Sequence, residues 1–249
     1  MHPDKSSGLD GLNPAFYHRF WEDIGGDLIS DAAVWLNSGQ LPQGLNATNI
    51  VLAPKGDNPE TMKDLRSISL CNVLYKIISK VLANRLRLLI GKWISPEQAA
   101  FVHSRSIMDN ALTAFEILHH MHCKTKGKTG EVALKLDISK AFDSVSWTYL
   151  EEILYKLGFC QTWVKWMLMC ITSVEYHVIF NGDRIGPIIP ERGLRQGCHL
   201  SPYLYIICAE GLSEIIKNHE SQGTLHGSRI CRTAPSISHL LFADDSFIF

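Results

Sequence analysis

Apolar residues recur along this chain at two periods, one of helices and one of strands. From Asn72 to Ile90 the period is helical: Val73, Ile77, Val81 and Leu88 fall on one side, and Lys76, Lys80 and Arg87 form a narrow stripe opposite. Asn13-Pro14 opens an earlier helix carrying Phe16, Phe20 and Ile24, expected to end at Gly25-Gly26, with a second from Leu28 to Leu36. Asp109 to Met121 is helical, and Ser95-Pro96-Glu97 reads as an N-cap followed by a first-turn proline. Ser146 caps a helix whose apolar stripe is Leu150, Ile153, Leu154 and Leu157, and Gly158 ends it. Ser201-Pro202 opens a last helix that reaches Lys217.

Strict alternation marks the strands. Val132, Leu134, Leu136 and Ile138 alternate with Ala133, Lys135 and Asp137, so Asp137 points away from the aliphatic row, near the strand's end. Asn49 to Pro54 is a short strand stopped by the turn Pro54-Lys55-Gly56-Asp57. Val174 to Phe180 is another, followed by the hairpin signal Asn181-Gly182. The last ten residues are two apolar half-strands about Asp244-Asp245, which puts the acidic pair at a hairpin tip. Lys5 to Gly11 and the basic stretch Lys124 to Gly130 read as loops. Helices mixed with hairpins imply an α+β fold.

The 249 residues are 46% hydrophobic and 20% charged, a globular composition that excludes disorder. No run approaches the roughly 20 apolar residues of a membrane span. Met1-His2-Pro3-Asp4-Lys5 has no apolar leader, so an intracellular, non-secreted protein is expected. A net charge of -1 gives no bulk affinity for nucleic acid. Yet Leu65 to Pro96 contains no acidic residue and carries Arg66, Lys76, Lys80, Arg85, Arg87 and Lys92. Such a stretch is either a solvated helix face or a track for a phosphate backbone. The seven cysteines form no Cys-x-x-Cys pair, and His119, His122 and Cys123 have no second ligand pair nearby, so no zinc site is expected.

Asp137, Asp244 and Asp245 carry the candidate chemistry. Aspartates favour turns, which would explain an isolated pair. If the strands are neighbours, however, one carboxylate of the pair shares a face with Asp137. Converging carboxylates repel and need a cation between them, and oxygen-only donors select magnesium. Two magnesium ions roughly 4 Å apart activate an attacking oxygen and steady a leaving oxygen in phosphoryl transfer. This reading leaves polymerase and nuclease both open.

Three blocks occur in one order: Lys135-Leu136-Asp137-Ile138-Ser139-Lys140-Ala141-Phe142-Asp143, Gly193-Leu194-Arg195-Gln196-Gly197, and Phe242-Ala243-Asp244-Asp245. With Ser69 to Lys76, Ile78 to Leu86, Gln98-Ala99-Ala100-Phe101 and Ile237 to Leu241, they resemble the reverse transcriptases of plant non-LTR (LINE-type) retrotransposons. The resemblance implies a right-hand polymerase, with fingers over residues 1 to about 130 and part of the middle, and palm over the rest. Residues 1–48 would be an N-terminal helical segment and 49–249 the reverse transcriptase domain. It implies that Asp137, the carbonyl of Ile138, Asp244 and Asp245 hold two magnesium ions, and that Phe142 is a steric gate against ribonucleotides. Arg195, Gln196 and Gly197 would lie against the incoming nucleotide, Lys55 and Arg66 would reach its triphosphate, and Lys76, Lys80 and Arg87 would follow the template.

The substrates implied are dNTPs, an RNA template and a DNA primer, with no membrane, in the nucleus. The thumb and the endonuclease of such elements are expected to be missing from this chain. Where the family text continues Asp-Pro after Arg-Gln-Gly, this sequence reads Cys198-His199. That departure keeps a second reading open: an inactive retroelement remnant with at most nucleic-acid binding. A nuclease would need neither Phe142 nor the Arg195-Gln196-Gly197 loop.

Overall fold

The two periods resolve into seven helices and seven strands among the described residues, which in this computed structural model are 1–125, 130–231 and 233–249. In chain order these are α1 (Pro14–Arg19), α2 (Trp21–Ser38), β1 (Ala47–Pro54), β2 (Leu65–Cys71), α3 (Val73–Leu89), α4 (Ile107–Cys123) and β3 (Leu134–Asp137). Then follow α5 (Trp147–Lys156), α6 (Gln161–Thr172), β4 (Glu175–Phe180), β5 (Asp183–Ile188), α7 (Ser201–Ser221), β6 (His239–Phe242) and β7 (Asp245–Ile248). They fall into two units, Met1–Asn84 with Phe142–Ser201, and Arg85–Ala141 with Pro202–Phe249. The mixture of helices and largely antiparallel sheets agrees with the α+β expectation.

The first unit holds a four-stranded sheet in the order β2-β1-β4-β5. β1 and β2 pair antiparallel from Thr48↔Cys71 to Pro54↔Leu65, while β1 and β4 run parallel. The β4–β5 hairpin closes on Asn181 (φ 51°) and Gly182 (φ 88°), the two left-handed positions that a tight turn matched to strand twist requires. The Ser146 hydroxyl accepts the N–H of Tyr149 to start α5, which buries Leu150, Ile153 and Leu154. Helix α6 buries Val164, Met167, Met169 and Cys170, and the Tyr75 hydroxyl donates to the Cys170 carbonyl at 3.1 Å.

The second unit holds a three-stranded sheet in the order β3-β7-β6. Ala114 and Ile117 of α4 pack with Leu240 and Phe249 to form its core. His239 is fully buried and bridges the Ser213 hydroxyl (2.6 Å) and the Ser238 hydroxyl (3.1 Å).

Several expectations need correction. Helix α2 runs straight through Gly25-Gly26, and the break falls at Phe20 instead. Gly25 is buried beneath the Trp21 ring, where a Cβ would stand 3.0 Å from a ring atom, so the missing side chain accommodates an aromatic one turn earlier. Ser95-Pro96-Glu97 does not start a helix; it forms a turn closed by the Gln98 N–H on the Ser95 carbonyl at 3.1 Å, with the Ser95 side chain bonded to Glu210. Strand β2 and helix α6 carry no assignment in the sequence reading. Strand β3 is shorter than Val132 to Ile138, and its aliphatic row is exposed, with Leu134 at 51% and Leu136 at 40%. Of the loop expected over Lys124 to Gly130, residues 126–129 lie outside the described residues.

The buried side of α3 also differs. Tyr75, Ile78, Ser79, Leu82 and Leu86 are buried, while Val81 and Leu88 are exposed. Val73 of the expected row is fully buried and Ile77 half-buried, so the helix turns its apolar seam away from that row only further along, at Val81 and Leu88. Leu82→Ala should cost about 2–5 kcal/mol of unfolding free energy, and Val81→Ala less than about 1. Urea denaturation of the two variants side by side checks this.

Candidate active site

The register of the second unit's sheet brings the acidic residues to one end. Asp137 of β3 is the direct cross-strand partner of Asp245 of β7, and Phe242 of β6 is paired with Asp245 from the other side. The β6–β7 connection is thus the two residues Ala243-Asp244, with Ala243 in the left-handed region at φ 53°. That conformation is unfavourable for any residue with a Cβ.

Directly opposed residues project to the same face, so the Asp137 and Asp245 carboxylates repel. Lys135 Nζ lies 3.4 Å from Asp245 Oδ1, a pair so exposed that it is worth at most about 1 kcal/mol. Asp245 and Lys135 line a cleft of about 290 Å3 with Asn110, Ala114, Phe242 and Phe247. Asp244 faces Tyr205, whose phenol is pushed up to about 12, first by burial and then by the Asp244 charge.

Among the described residues, no three metal-ligating side chains are gathered tightly enough to enclose an ion. The donor set is nevertheless oxygen-only and opposed across one strand pair. It fits a hard divalent cation and not a thiophilic one.

The first unit assembles the other motif residues. The Leu194 N–H donates to the Phe142 carbonyl and the Gly193 N–H to the Val145 carbonyl, each at 2.8 Å. Trp147 Nε1 donates to the Gly193 carbonyl at 2.8 Å. Gly193 (φ 93°) lies so close to Asp143 that a Cβ would stand 2.9 Å from its carbonyl oxygen. The chain around Phe142 and the loop leading to Arg195 are therefore stitched together, beside a cavity of about 280 Å3 lined by Ser67, Ser69, Asp143, Tyr176, Arg195 and Gln196.

Within that loop Gln196 and Gly197 are exposed. Arg195 is not: it is 6% exposed, it donates from Nη2 to Asn46 Oδ1, and its guanidinium sits 4.5 Å over the Tyr75 ring. Burial works against its charge, but Tyr75 and the Cys71 and Cys198 thiols outweigh that and hold it ionised. Arg195 is a buried post behind the loop.

The remaining cations divide in the same way. Lys55 and Arg66 sit at the loop end of the β1–β2 hairpin, with the Lys55 N–H donating to the Asp64 carbonyl at 2.8 Å. Arg66 is exposed, while Lys55 Nζ donates to the Lys63 carbonyl at 2.6 Å. Lys76 leaves the expected stripe: it is 9% exposed and donates to the Ser6 carbonyl at 3.0 Å. Lys80 and Arg87 remain exposed. Lys135 joins the site beyond the residues expected from the sequence, where its position two residues before Asp137 on a strand puts it on the same face.

Residues 53–249 match the family described as reverse transcriptase (RNA-dependent DNA polymerase), and the chain belongs to that family. It is 33% identical over 212 residues, 84% of its length, to the Transposon TX1 uncharacterized 149 kDa protein of Xenopus laevis, of which it covers 16%. It is 28% identical over 244 residues to the Retrovirus-related Pol polyprotein from type-2 retrotransposable element R2DM of Drosophila melanogaster, covering 22% of it. Over 68 residues it is 52% identical to an uncharacterized mitochondrial protein of Arabidopsis thaliana, AtMg01250, 56% of which is covered. The chain therefore spans a minor part of the two long relatives. No helix among the described residues is long and apolar enough to cross a membrane.

His199 follows the loop directly. Burial, and then the charges of Lys80, Lys5 and Lys76, hold its imidazole down at about 4, below its usual 6.5. A depressed folded value means that the unfolded chain takes up the proton first as pH falls. The neutral-state stability is therefore present above pH 6.5 and is lost between there and about 4. His199→Gln should remove up to about 2 kcal/mol of that acid loss, read as the difference between variant and parent unfolding curves across this range.

Proposed function

We propose that this chain is the nucleotidyl-transfer part of a non-LTR retrotransposon reverse transcriptase, extending a DNA primer on an RNA template with dNTPs. One observation carries the reading: Asp137 stands opposite Asp245 with Asp244 in the adjoining turn, in a chain matched to that family. The likeness to the Xenopus and Drosophila transposon proteins supports a mobile-element origin, and the Arabidopsis segment supports a plant one. Such an enzyme would act in the nucleus.

In this reading the three-stranded sheet belongs to the palm and the β1–β2 hairpin to the fingers. Asp137, Asp244 and Asp245, with the Ile138 carbonyl, would hold two magnesium ions. Those ions, when bound, supply an activated attacking oxygen and a stabilised leaving oxygen. The chain's own residues do the rest. Phe142, anchored through its carbonyl by Leu194, bars a 2′-hydroxyl and so selects deoxynucleotides. Gln196 presents an exposed amide to the nucleotide, and Gly197 lets the backbone approach it closely. Lys55 and Arg66 offset triphosphate charge as it shifts toward the leaving group. Lys80 and Arg87 contact template phosphates, contacts that weaken as salt rises. Arg195 acts from behind by fixing the loop.

Primer extension on an RNA template with dNTPs and magnesium tests this. Asp244→Asn should lower incorporation by at least about a hundredfold while the far-ultraviolet circular dichroism stays that of the parent. Extension that survives the substitution overturns the site. A parent chain that binds an RNA–DNA hybrid and extends nothing overturns the polymerase reading itself.

A further inference from the structure

We infer that Gln98 is a positioning residue for the Ala243-Asp244 turn, fixing the carboxylates for metal binding through a buried side-chain clamp. The inference rests on the reading above of Asp137, Asp244 and Asp245 as the metal-holding group. Gln98 is 1% exposed. Its amide oxygen accepts the Ala100 N–H at 2.9 Å and the Ala243 N–H at 3.1 Å, so one atom joins its own loop to the turn.

The loop cannot drift from the hairpin, because its backbone is bonded to β6. The Ala99 N–H donates to the Leu241 carbonyl at 3.1 Å, and the Leu241 N–H donates to the Glu97 carbonyl at 2.9 Å. Asn110 of α4 reaches the same crossing, its Nδ2 donating to the Glu97 and Leu241 carbonyls, each at 3.0 Å. Arg105 braces the loop from behind, with Nη1 on the Gln98 carbonyl at 2.7 Å and Nη2 on the Ile94 carbonyl at 2.8 Å. Gln98 thus stands on a rigid base.

Ala243 needs that acceptor. It is a buried, left-handed, non-glycine residue, and without Gln98 its buried N–H would lose its acceptor. It directly precedes Asp244 and Asp245, whose geometry must hold to within about 0.5 Å to ligate well. Loss of a group that orients metal ligands typically costs about 10- to 100-fold in metal affinity.

The test uses the whole chain with Mn2+ as probe, read by electron paramagnetic resonance, together with hydrogen exchange at the Ala243 amide. Gln98→Met keeps the bulk and removes the acceptor; Gln98→Glu keeps an acceptor oxygen. The Met variant should bind Mn2+ about tenfold or more weakly and exchange the Ala243 amide at least about tenfold faster. The Glu variant should restore slow exchange and bind Mn2+ at least as tightly as the parent. Unchanged Ala243 exchange in Gln98→Met overturns the clamp. Unchanged Mn2+ affinity in Gln98→Met, where Asp244→Asn abolishes binding, overturns the positioning role. Equal losses in both Gln98 variants, with a common drop in melting temperature, also overturn it in favour of a structural role. Mn2+ binding indifferent to Asp244→Asn overturns the carboxylate reading instead, a failure distinct from that of the clamp.

Discussion

Like-charge repulsion between Asp137 and Asp245 is the constraint around which the second unit is built. The two carboxylates are direct cross-strand partners, an arrangement that destabilises a sheet unless something lies between or beside them. Lys135 offsets little of this, because both members of that pair are more than half exposed. The hairpin is held from its buried side. Glu210, 4% exposed, accepts the Ser95 N–H at 2.9 Å, and Lys217 donates to the Ser95 hydroxyl at 2.6 Å. Burial raises the Glu210 carboxyl even against its bonds to Ser95, a sign of how dry this support is. The loop over 94–100 is thereby tied to α7, and its bonds to Leu241 tie it to β6.

The first unit meets the opposite problem, a buried cation. The Tyr75 ring face and the Asn46 side chain share the charge of Arg195. Cys198, which stands where the related text has aspartate, lies 3.5 Å from the Tyr75 hydroxyl in this same cluster. The departure read in the sequence thus falls at the root of the loop that presents Gln196, where it changes the electrostatics of a buried post more than the exposed surface. The path of that loop is set by the bonds from Leu194 to Phe142 and from Gly193 to Val145.

What the sequence made legible was local. The Asn181-Gly182 turn, the Ser146 cap and the alternation that sets Asp137 on one face each depend on a few adjacent residues. What it hid was decided by distant partners. Ser95-Pro96-Glu97 has every local mark of a helix start, but the Ser95 hydroxyl accepts from Lys217 where a cap would accept a backbone N–H, and it donates to Glu210. On α3, Lys76 is buried along with Tyr75 and Leu82, so hydrophobicity alone does not mark the seam. Helix α6 is apolar on nearly every side and so shows no stripe. Three aspartates could be picked from the sequence. That Asp137 faces Asp245, and that Gln98 reaches Ala243, depend on contacts more than a hundred residues apart along the chain.

The central claim, that these carboxylates are strained alone and relieved by a divalent cation, is tested most directly by thermal melting of the parent and of Asp137→Asn, with a chelator and over a magnesium series. A ligand that binds only the folded state raises the melting temperature with its concentration. With chelator the variant should melt above the parent, because one of two repelling charges is gone. With magnesium the parent should rise and the variant should not. A variant that melts below the parent with chelator, and rises with magnesium as the parent does, would contradict the account.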